Sequence, residues 1–169
     1  MAKCAAITQL LLTLVVGVLI LSFTGEGAAA RANPQPQRGE RKVLGDLELR
    51  SPTGEHVSLI PLITRKALVI VFWAAWCPIC REEVPQLNKL DAVSLIKVVA
   101  VNEGDSVNKI QSFMATHSVG YQVVVDPDAS VAKAFQVPSM PFCVILSMSG
   151  LIVYRGSGLP ENIDYYVVQ

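Results

Sequence analysis

Two cysteines separated by two residues are the strongest chemical feature of this sequence. Cys77 and Cys80 follow the continuously apolar run 67–73, and polar residues recur at helical spacing after Cys80. Such a run predicts a strand buried on both faces, so the thiols lie where this strand passes into a helix. The free N–H groups and positive dipole end of that helix stabilise a thiolate at Cys77. We therefore predict that Cys77 is an exposed nucleophile, and that Cys80, shielded one turn further on, resolves the mixed disulfide.

A Cys-x-x-Cys pair also occurs in zinc sites and in unreactive protein cores. Tetrahedral zinc needs two further ligands, and the remaining cysteines and histidines form no second closely spaced pair. These residues are Cys4, His56, His117 and Cys143. A cysteine at a helix start is rarely inert. We therefore predict a redox-active pair and no metal site, and we expect Cys143 to be a small core residue rather than a third redox partner.

The residues around the pair resemble the signature of the TlpA/ResA-like disulfide reductases, which have the thioredoxin fold. The resemblance is carried by the run Trp76–Cys80, followed by Arg81, Glu83 and Pro85, and it extends over residues 45–158. The implied fold is α/β and thioredoxin-like. Its mixed central sheet is flanked by helices and carries an N-terminal β-hairpin extension.

The resemblance also implies which residues contact a substrate. The segment 137–142 falls where the thioredoxin fold has its cis-proline, so Pro141 is the implied cis-proline and Met140 the residue before it. The backbone of Met140 would face the sulfurs, pair with an extended substrate chain and keep metals out. Trp76 and Pro78 are the implied substrate contacts beside the sulfurs, whereas Trp73 is expected in the core.

Acidic residues form a second group of candidates. Glu83 lies one helical turn beyond Cys80, and its implied role is to govern cysteine protonation. A solvated acid favoured by the helix start is the alternative. Glu103 and Asp105 are implied as acids that line the site, although acids in a loop are usually only solvated.

Hydrophobic periodicity and turn residues predict alternating strands and helices. A small hairpin with its turn at Ser51–Gly54 is expected ahead of the main sheet. The predicted strands span 67–73, 97–101, 121–125, 142–146 and 151–154, and the predicted helices span 78–88, 107–117 and 129–135. This order is typical of an α/β sandwich with a mixed sheet.

The first 32 residues differ in composition from the rest. An apolar run, 10–23, follows Lys3 and leads into the small residues 28–32, an order typical of a secretory signal peptide. An uncleaved membrane anchor, or tether, is the alternative. Residues 33–42 predict a flexible linker, so the thioredoxin-like domain is expected over 43–169. Either interpretation places the domain outside the cytoplasm.

Composition and resemblance together define an expected function. The chain carries 14 basic and 14 acidic side chains, so no basic surplus indicates nucleic acid. The resemblance implies a reductase of protein disulfides that needs no cofactor beyond the redox-active Cys77–Cys80 disulfide. It further implies a membrane thiol-disulfide electron donor, with the haem-attachment cysteines of apocytochrome c as a substrate. The Pro78-Ile79 dipeptide alone does not set the reduction potential.

Two other functions are compatible with parts of the pattern. A peroxiredoxin-like thiol peroxidase needs a threonine three residues before the attacking cysteine, and Ala74 occupies that position. A non-catalytic thioredoxin-fold binding module would use the Cys77–Cys80 bond as a structural clasp. A very low reduction potential and no disulfide reductase activity would favour the binding module.

Overall fold

The computed structural model describes residues 49–59, 61 and 66–167 of the chain. The predicted signal peptide or anchor (1–32) and the predicted linker (33–42) lie outside these residues, as does the predicted domain start at Val43. Within the described ranges, no helix is long and apolar enough to cross a membrane.

Strands and helices alternate from residue 67 to residue 146 of the described part of the chain. The strands are β1 (Leu49–Arg50), β2 (His56–Val57), β3 (Ala67–Trp73), β4 (Ile96–Glu103), β5 (Gln122–Asp126), β6 (Phe142–Leu146) and β7 (Ile152–Gly156). The helices are α1 (Pro78–Asp91), α2 (Val107–His117), α3 (Ser130–Ala134) and α4 (Ile163–Val167). Every residue of β3 is buried, as its unbroken apolar run predicts.

The seven strands formed by the described residues belong to one mixed sheet in the order β2-β1-β5-β4-β3-β6-β7. β3, β4 and β5 are parallel, whereas β6 pairs antiparallel with β3. The strands β3, β4 and β5 follow one another in the same direction across the sheet, and the connections between them are right-handed crossovers. The two crossover helices, α1 and α2, therefore lie on the same face of the sheet. The carboxyl ends of β3 and β4 meet the start of β6 at one end of the sheet, which we call the disulfide end because α1 begins there.

Two apolar cores lie on opposite faces of this sheet. The first packs α1, α2 and α4 against the strands, and it contains both Cys77 and Cys80. The second packs α3 against the other face, with the side chain of Leu49 from β1, and the rings of Phe72 and Phe135 lie 5.5 Å apart there. Each fully buried large apolar side chain contributes about 1.5–3 kcal/mol. The helix that carries the cysteines is therefore held firmly on the sheet.

Most predicted elements are confirmed, with differences at their boundaries. The strands 67–73 and 142–146 and the helix 107–117 have their predicted bounds. The helix α1 continues through Pro85 and ends at Asp91 rather than near residue 88. The short strands β1 and β2 pair antiparallel, but β1 also pairs with β5. The hairpin expected ahead of the main sheet therefore lies at the edge of that sheet, next to β5.

Candidate active site

The two cysteines lie at the junction of β3 and α1, as predicted, and they form a disulfide whose Cα atoms are 5.3 Å apart. Cys77 is the N-cap of α1 with an extended backbone, and Pro78 is the first helical residue. The backbone N–H of Cys80 donates to the Cys77 sulfur at 3.2 Å. The Cys77 sulfur therefore occupies the position where a helix N-terminus stabilises negative charge.

The predicted difference in exposure between the two cysteines is wrong for this disulfide form. Cys77 and Cys80 are each only 4 % exposed, because both sulfurs pack into the core beneath α1. The two residues differ instead in hydrogen bonding, since the Cys77 sulfur is the one that accepts a helix N–H. The chemical distinction between attacking and resolving cysteine is therefore carried by the helix N-terminus rather than by burial.

The turn before Cys77 is held by an acid from the loop after β4. A carboxylate oxygen of Asp105 accepts the N–H of Ala75 at 2.6 Å and the side-chain amide of Asn102 at 3.1 Å. The N–H of Asp105 in turn donates to the Asn102 side-chain oxygen at 3.2 Å. The N–H of Cys77 donates to the carbonyl of Ala74 within this turn. Asp105 therefore positions the backbone that leads into Cys77.

Sequence reasoning missed Asn102, which orients Asp105. Asn102 is 1 % exposed at the end of β4, and a polar residue that closes an apolar strand is the signal that could have indicated it. Glu103, the other acid expected to line the site, ends β4 opposite Asp126 of β5.

Exposed apolar side chains surround the buried disulfide. Trp76 is 70 % exposed, and Pro78 and Ile79 are also exposed. Met140 is half-buried and Pro141 is buried, and the peptide bond between them is cis, as expected from the resemblance. A disulfide bordered by exposed apolar surface offers a contact area for another polypeptide.

Trp73 has a different environment from Trp76, and its expected place in the core is confirmed. Trp73 is buried, and its ring lies 4.6 Å from the ring of Phe113 on α2. Its indole nitrogen has no hydrogen-bond partner among the described residues. Trp73 thus packs α2 against β3, whereas Trp76 remains available at the surface.

Glu83 lies on the buried side of α1. It is therefore not the freely solvated acid of the alternative interpretation. One carboxylate oxygen accepts the N–H of Leu159 at 3.2 Å, and the other is buried without a hydrogen-bond partner among the described residues. Desolvation raises the pKa of Glu83 above its ordinary 4.5, and the Leu159 N–H opposes this rise only in part. Glu83 therefore holds a proton more readily than a surface glutamate, one turn from Cys80.

Buried groups near Glu83 are kept neutral. Burial raises the pKa of the Cys143 thiol far above its ordinary range, and the Glu83 charge adds to the rise. Burial and the same charge also raise the pKa of the Tyr121 hydroxyl. Cys143 is wholly buried in β6, opposite Val71 of β3. Its geometry agrees with the expected core role.

The loop between β7 and α4 passes closely over Glu83. Gly158 has a φ of +70°, and a Cβ added there would lie 2.8 Å from a Glu83 carboxylate oxygen. Its N–H donates to the carbonyl of Pro141, and its carbonyl accepts the Tyr154 hydroxyl. The loop therefore connects Glu83 on α1 with Pro141 before β6. At position 158 the close approach to Glu83 leaves room only for glycine.

Replacing Gly158 by alanine tests this close approach. We expect the free energy of unfolding to fall by about 1–2 kcal/mol from the left-handed backbone alone, with a further loss because Glu83 must move away. Gly54→Ala is the matched control, since Gly54 also has a positive φ but has no atom within 4 Å of an added Cβ. Chemical denaturation of both variants measures the two losses. Equal losses would contradict the close packing of Gly158 on Glu83.

Among the described residues, the surroundings of the disulfide contain no cluster of metal ligands. Across residues 49–59 and 66–167, no three His, Cys, Asp or Glu side chains are grouped so that they could hold a metal ion. The chemistry that the described site offers is that of the disulfide itself.

Comparisons with known proteins agree with this geometry. The AhpC/TSA family matches residues 41–156. Sporulation thiol-disulfide oxidoreductase A of Bacillus subtilis is 27 % identical over 152 residues, which are 86 % of this chain and 88 % of the relative. Thiol-disulfide oxidoreductase ResA of the same organism is 30 % identical over 108 residues, which are 62 % of this chain and 60 % of the relative.

A solved structure has the same fold. The crystal structure of a DsbE-type thiol:disulfide interchange protein from Chlorobium tepidum superposes with a TM-score of 0.64 at 25 % identity. The superposition covers 71 % of this chain and 89 % of that one. The thioredoxin-like fold, the Cys77–Cys80 pair and these relatives lead to one conclusion: the chain belongs to the AhpC/TSA family of thioredoxin-fold proteins, and it is a thiol-disulfide oxidoreductase.

Proposed function

We propose that this oxidoreductase works outside the cytoplasm as a reductase of protein disulfides. The observation that carries the proposal is the Cys77–Cys80 disulfide at the start of α1, bordered by the exposed side chains of Trp76, Pro78 and Ile79. A small-molecule thiol would not need this apolar border, whereas a polypeptide would bury it on binding. The composition of residues 1–32, typical of a signal peptide or anchor, supports the location.

The reaction consists of two thiol-disulfide exchanges. In the reduced protein, the Cys77 thiolate attacks one sulfur of the substrate disulfide, forming a mixed disulfide and releasing the other substrate sulfur as a thiolate, which takes up a proton. Cys80 then loses its proton and attacks the Cys77 sulfur. The Cys77–Cys80 disulfide forms, and the second substrate sulfur leaves as a thiolate that takes up a proton from solvent. Two electrons pass from protein to substrate, and a membrane thiol-disulfide donor restores them by the same exchange in reverse.

Residues around the sulfurs have distinct roles in this proposal. Trp76 and Pro78 contact the substrate beside the disulfide, and the backbone at Met140 and Pro141 pairs with its extended chain. Glu83 accepts the proton of Cys80 during the second exchange and returns it when the disulfide is reduced. The raised pKa of Glu83 supports this role, because a proton acceptor works best when its own affinity for a proton approaches that of the reacting group.

The haem-attachment cysteines of apocytochrome c are the substrate that we propose. The resemblance of this site to the TlpA/ResA-like reductases supports that substrate. Such a substrate carries its two cysteines in a Cys-x-x-Cys-His motif, which can close into a disulfide before haem is attached. An open apolar surface suits an unfolded chain of this kind.

The direction of electron transfer gives the direct test. Reduced protein mixed with an oxidised Cys-x-x-Cys-His peptide is expected to leave most of the peptide reduced and most of the protein oxidised at equilibrium. Alkylation followed by mass spectrometry measures both species. A peptide with both cysteines replaced by serine is the control for non-specific oxidation of the protein. Net transfer from peptide to protein would show an oxidase and contradict the proposal.

The peroxidase alternative has less support in the site. The position that would need a threonine hydroxyl is Ala74, which is buried and offers the Cys77 turn only its backbone carbonyl. A peroxide attacked by the Cys77 thiolate would therefore meet no side-chain hydrogen-bond donor at that position.

A further inference from the structure

Four large apolar side chains are exposed at the end of the sheet opposite the disulfide. Val93 and Leu95 lie between α1 and β4, and Met148 and Leu151 lie between β6 and β7. Their exposed fractions range from 40 to 55 %. We call these four residues the distal patch. Single exposed apolar residues are common on protein surfaces, whereas several of them at the same end of a sheet favour an interaction surface.

The sheet register brings the two halves of the distal patch together. The N–H of Ala67, the first residue of β3, donates to the carbonyl of Leu95 at 2.9 Å. On the other side of β3, Leu68 pairs with Leu146, and the N–H of the following Ser147 donates to the carbonyl of Leu151. Since β4, β3, β6 and β7 are consecutive strands, the patch extends across three strand spacings, or roughly 14 Å.

Basic residues lie within and beside the distal patch. Lys66 immediately precedes β3 and so lies between the two halves of the patch, and Lys89 lies in the last turn of α1. The acid at this border, Asp91, forms a salt bridge with Lys97 at 3.0 Å, so these two charges compensate each other. Glu55 lies in the turn between β1 and β2, at the far edge of the sheet. Apolar side chains bordered by lysines are the composition of a surface that binds anionic lipid headgroups.

We propose that the distal patch docks on an anionic phospholipid surface and thereby directs the disulfide end away from it, toward protein substrates. Residues 33–48, which lie between the predicted signal peptide or anchor and β1, number 16 and reach at most roughly 55 Å when extended. The seven residues of β3 span roughly 23 Å. A chain anchored in a membrane by its first 32 residues can therefore turn either end of the sheet toward the lipid. Docking of the distal patch selects the orientation in which the disulfide end faces away from the lipid.

Quenching of introduced tryptophans tests this orientation. The full chain is incorporated into phosphatidylglycerol vesicles that contain brominated acyl chains, which quench tryptophan at the lipid boundary. We expect strong quenching of the additional emission in Leu151→Trp and none in Val107→Trp. Val107 is the matched control because it is a similarly exposed apolar residue at the disulfide end, where α2 begins. Emission of the unmodified chain, which includes the exposed Trp76, is subtracted from both.

A charge variant separates lipid docking from general adsorption. Lys66→Gln with Lys89→Gln should weaken docking about fivefold per lysine on the anionic vesicles, whereas Lys109→Gln at the disulfide end should leave it unchanged. Equal quenching at both positions, or quenching greater at Val107, would overturn the proposal, as would no quenching at either. A shift of Leu151→Trp emission without lipid, together with the mass of a dimer, would assign the patch to a second copy instead. None of these readouts depends on the direction of electron transfer.

Discussion

A Cys80→Ser variant is expected to accumulate covalent adducts with its substrates, whereas Cys77→Ser accumulates few. Without Cys80, the mixed disulfide formed by Cys77 has no internal thiol to break it, so the partner stays attached. Cys77 is the attacker because its sulfur lies at the N-terminus of α1 and accepts the Cys80 N–H. We expect roughly tenfold more adduct from Cys80→Ser than from Cys77→Ser, measured by non-reducing gel electrophoresis and mass spectrometry of membrane and extracytoplasmic fractions.

Cys143 provides the control for this trapping. It is wholly buried, and burial raises the pKa of its thiol, so it should not replace Cys80 as a resolving thiol. Adduct yields from Cys80→Ser and from Cys80→Ser with Cys143→Ser should therefore be equal. Equal trapping by Cys77→Ser and Cys80→Ser would remove Cys77 as the nucleophile. A higher yield only when Cys143 is also replaced would identify Cys143 as a hidden resolver.

Glu83→Gln is expected to slow disulfide exchange about a hundredfold at neutral pH, the lower range for the loss of a positioned proton-transfer group. Glutamine preserves an oxygen for the Leu159 N–H but cannot take up or release a proton. The rate of the variant should also lose the pH dependence that Glu83 gives the unmodified protein. Stopped-flow measurement of peptide disulfide reduction across pH measures both effects.

Glu82→Gln is the matched control, because Glu82 is the preceding residue of the same helix and is exposed. Its rate and pH profile should match those of the unmodified protein. If Glu82→Gln and Glu83→Gln slow the exchange equally, the effect is one of general charge rather than of proton transfer. If neither slows it, Glu83 has only a structural role.

The pKa of Glu83 also makes a prediction about stability. Because burial raises this pKa in the folded state, the neutral acid stabilises the fold below pH 4.5, and this contribution is lost as pH rises through the raised value. The unfolding free energy of Glu83→Gln should therefore fall less than that of the unmodified protein between acid and neutral pH. Denaturant titrations at several pH values measure that difference alongside the exchange rates.

The sequence by itself determined the fold and the reactive pair. The run 67–73 is apolar enough to require burial on both faces, and Cys77 and Cys80 follow it where a helix must begin. These inferences succeed because they depend on local spacing and on the burial of apolar surface, which is the largest favourable contribution to folding. Helix α2 and strand β6 have their predicted bounds for the same reason.

Tertiary structure decided which groups act together at the site. Asp105 reaches the N–H of Ala75 across 30 positions of sequence, and Glu83 reaches the N–H of Leu159 across 76. No local pattern encodes such contacts, since they depend on how β3, β4 and the loop after β7 converge at one end of the sheet. The burial of Cys77 likewise follows from packing around the closed disulfide, so its exposure could not be inferred from its place at a helix start.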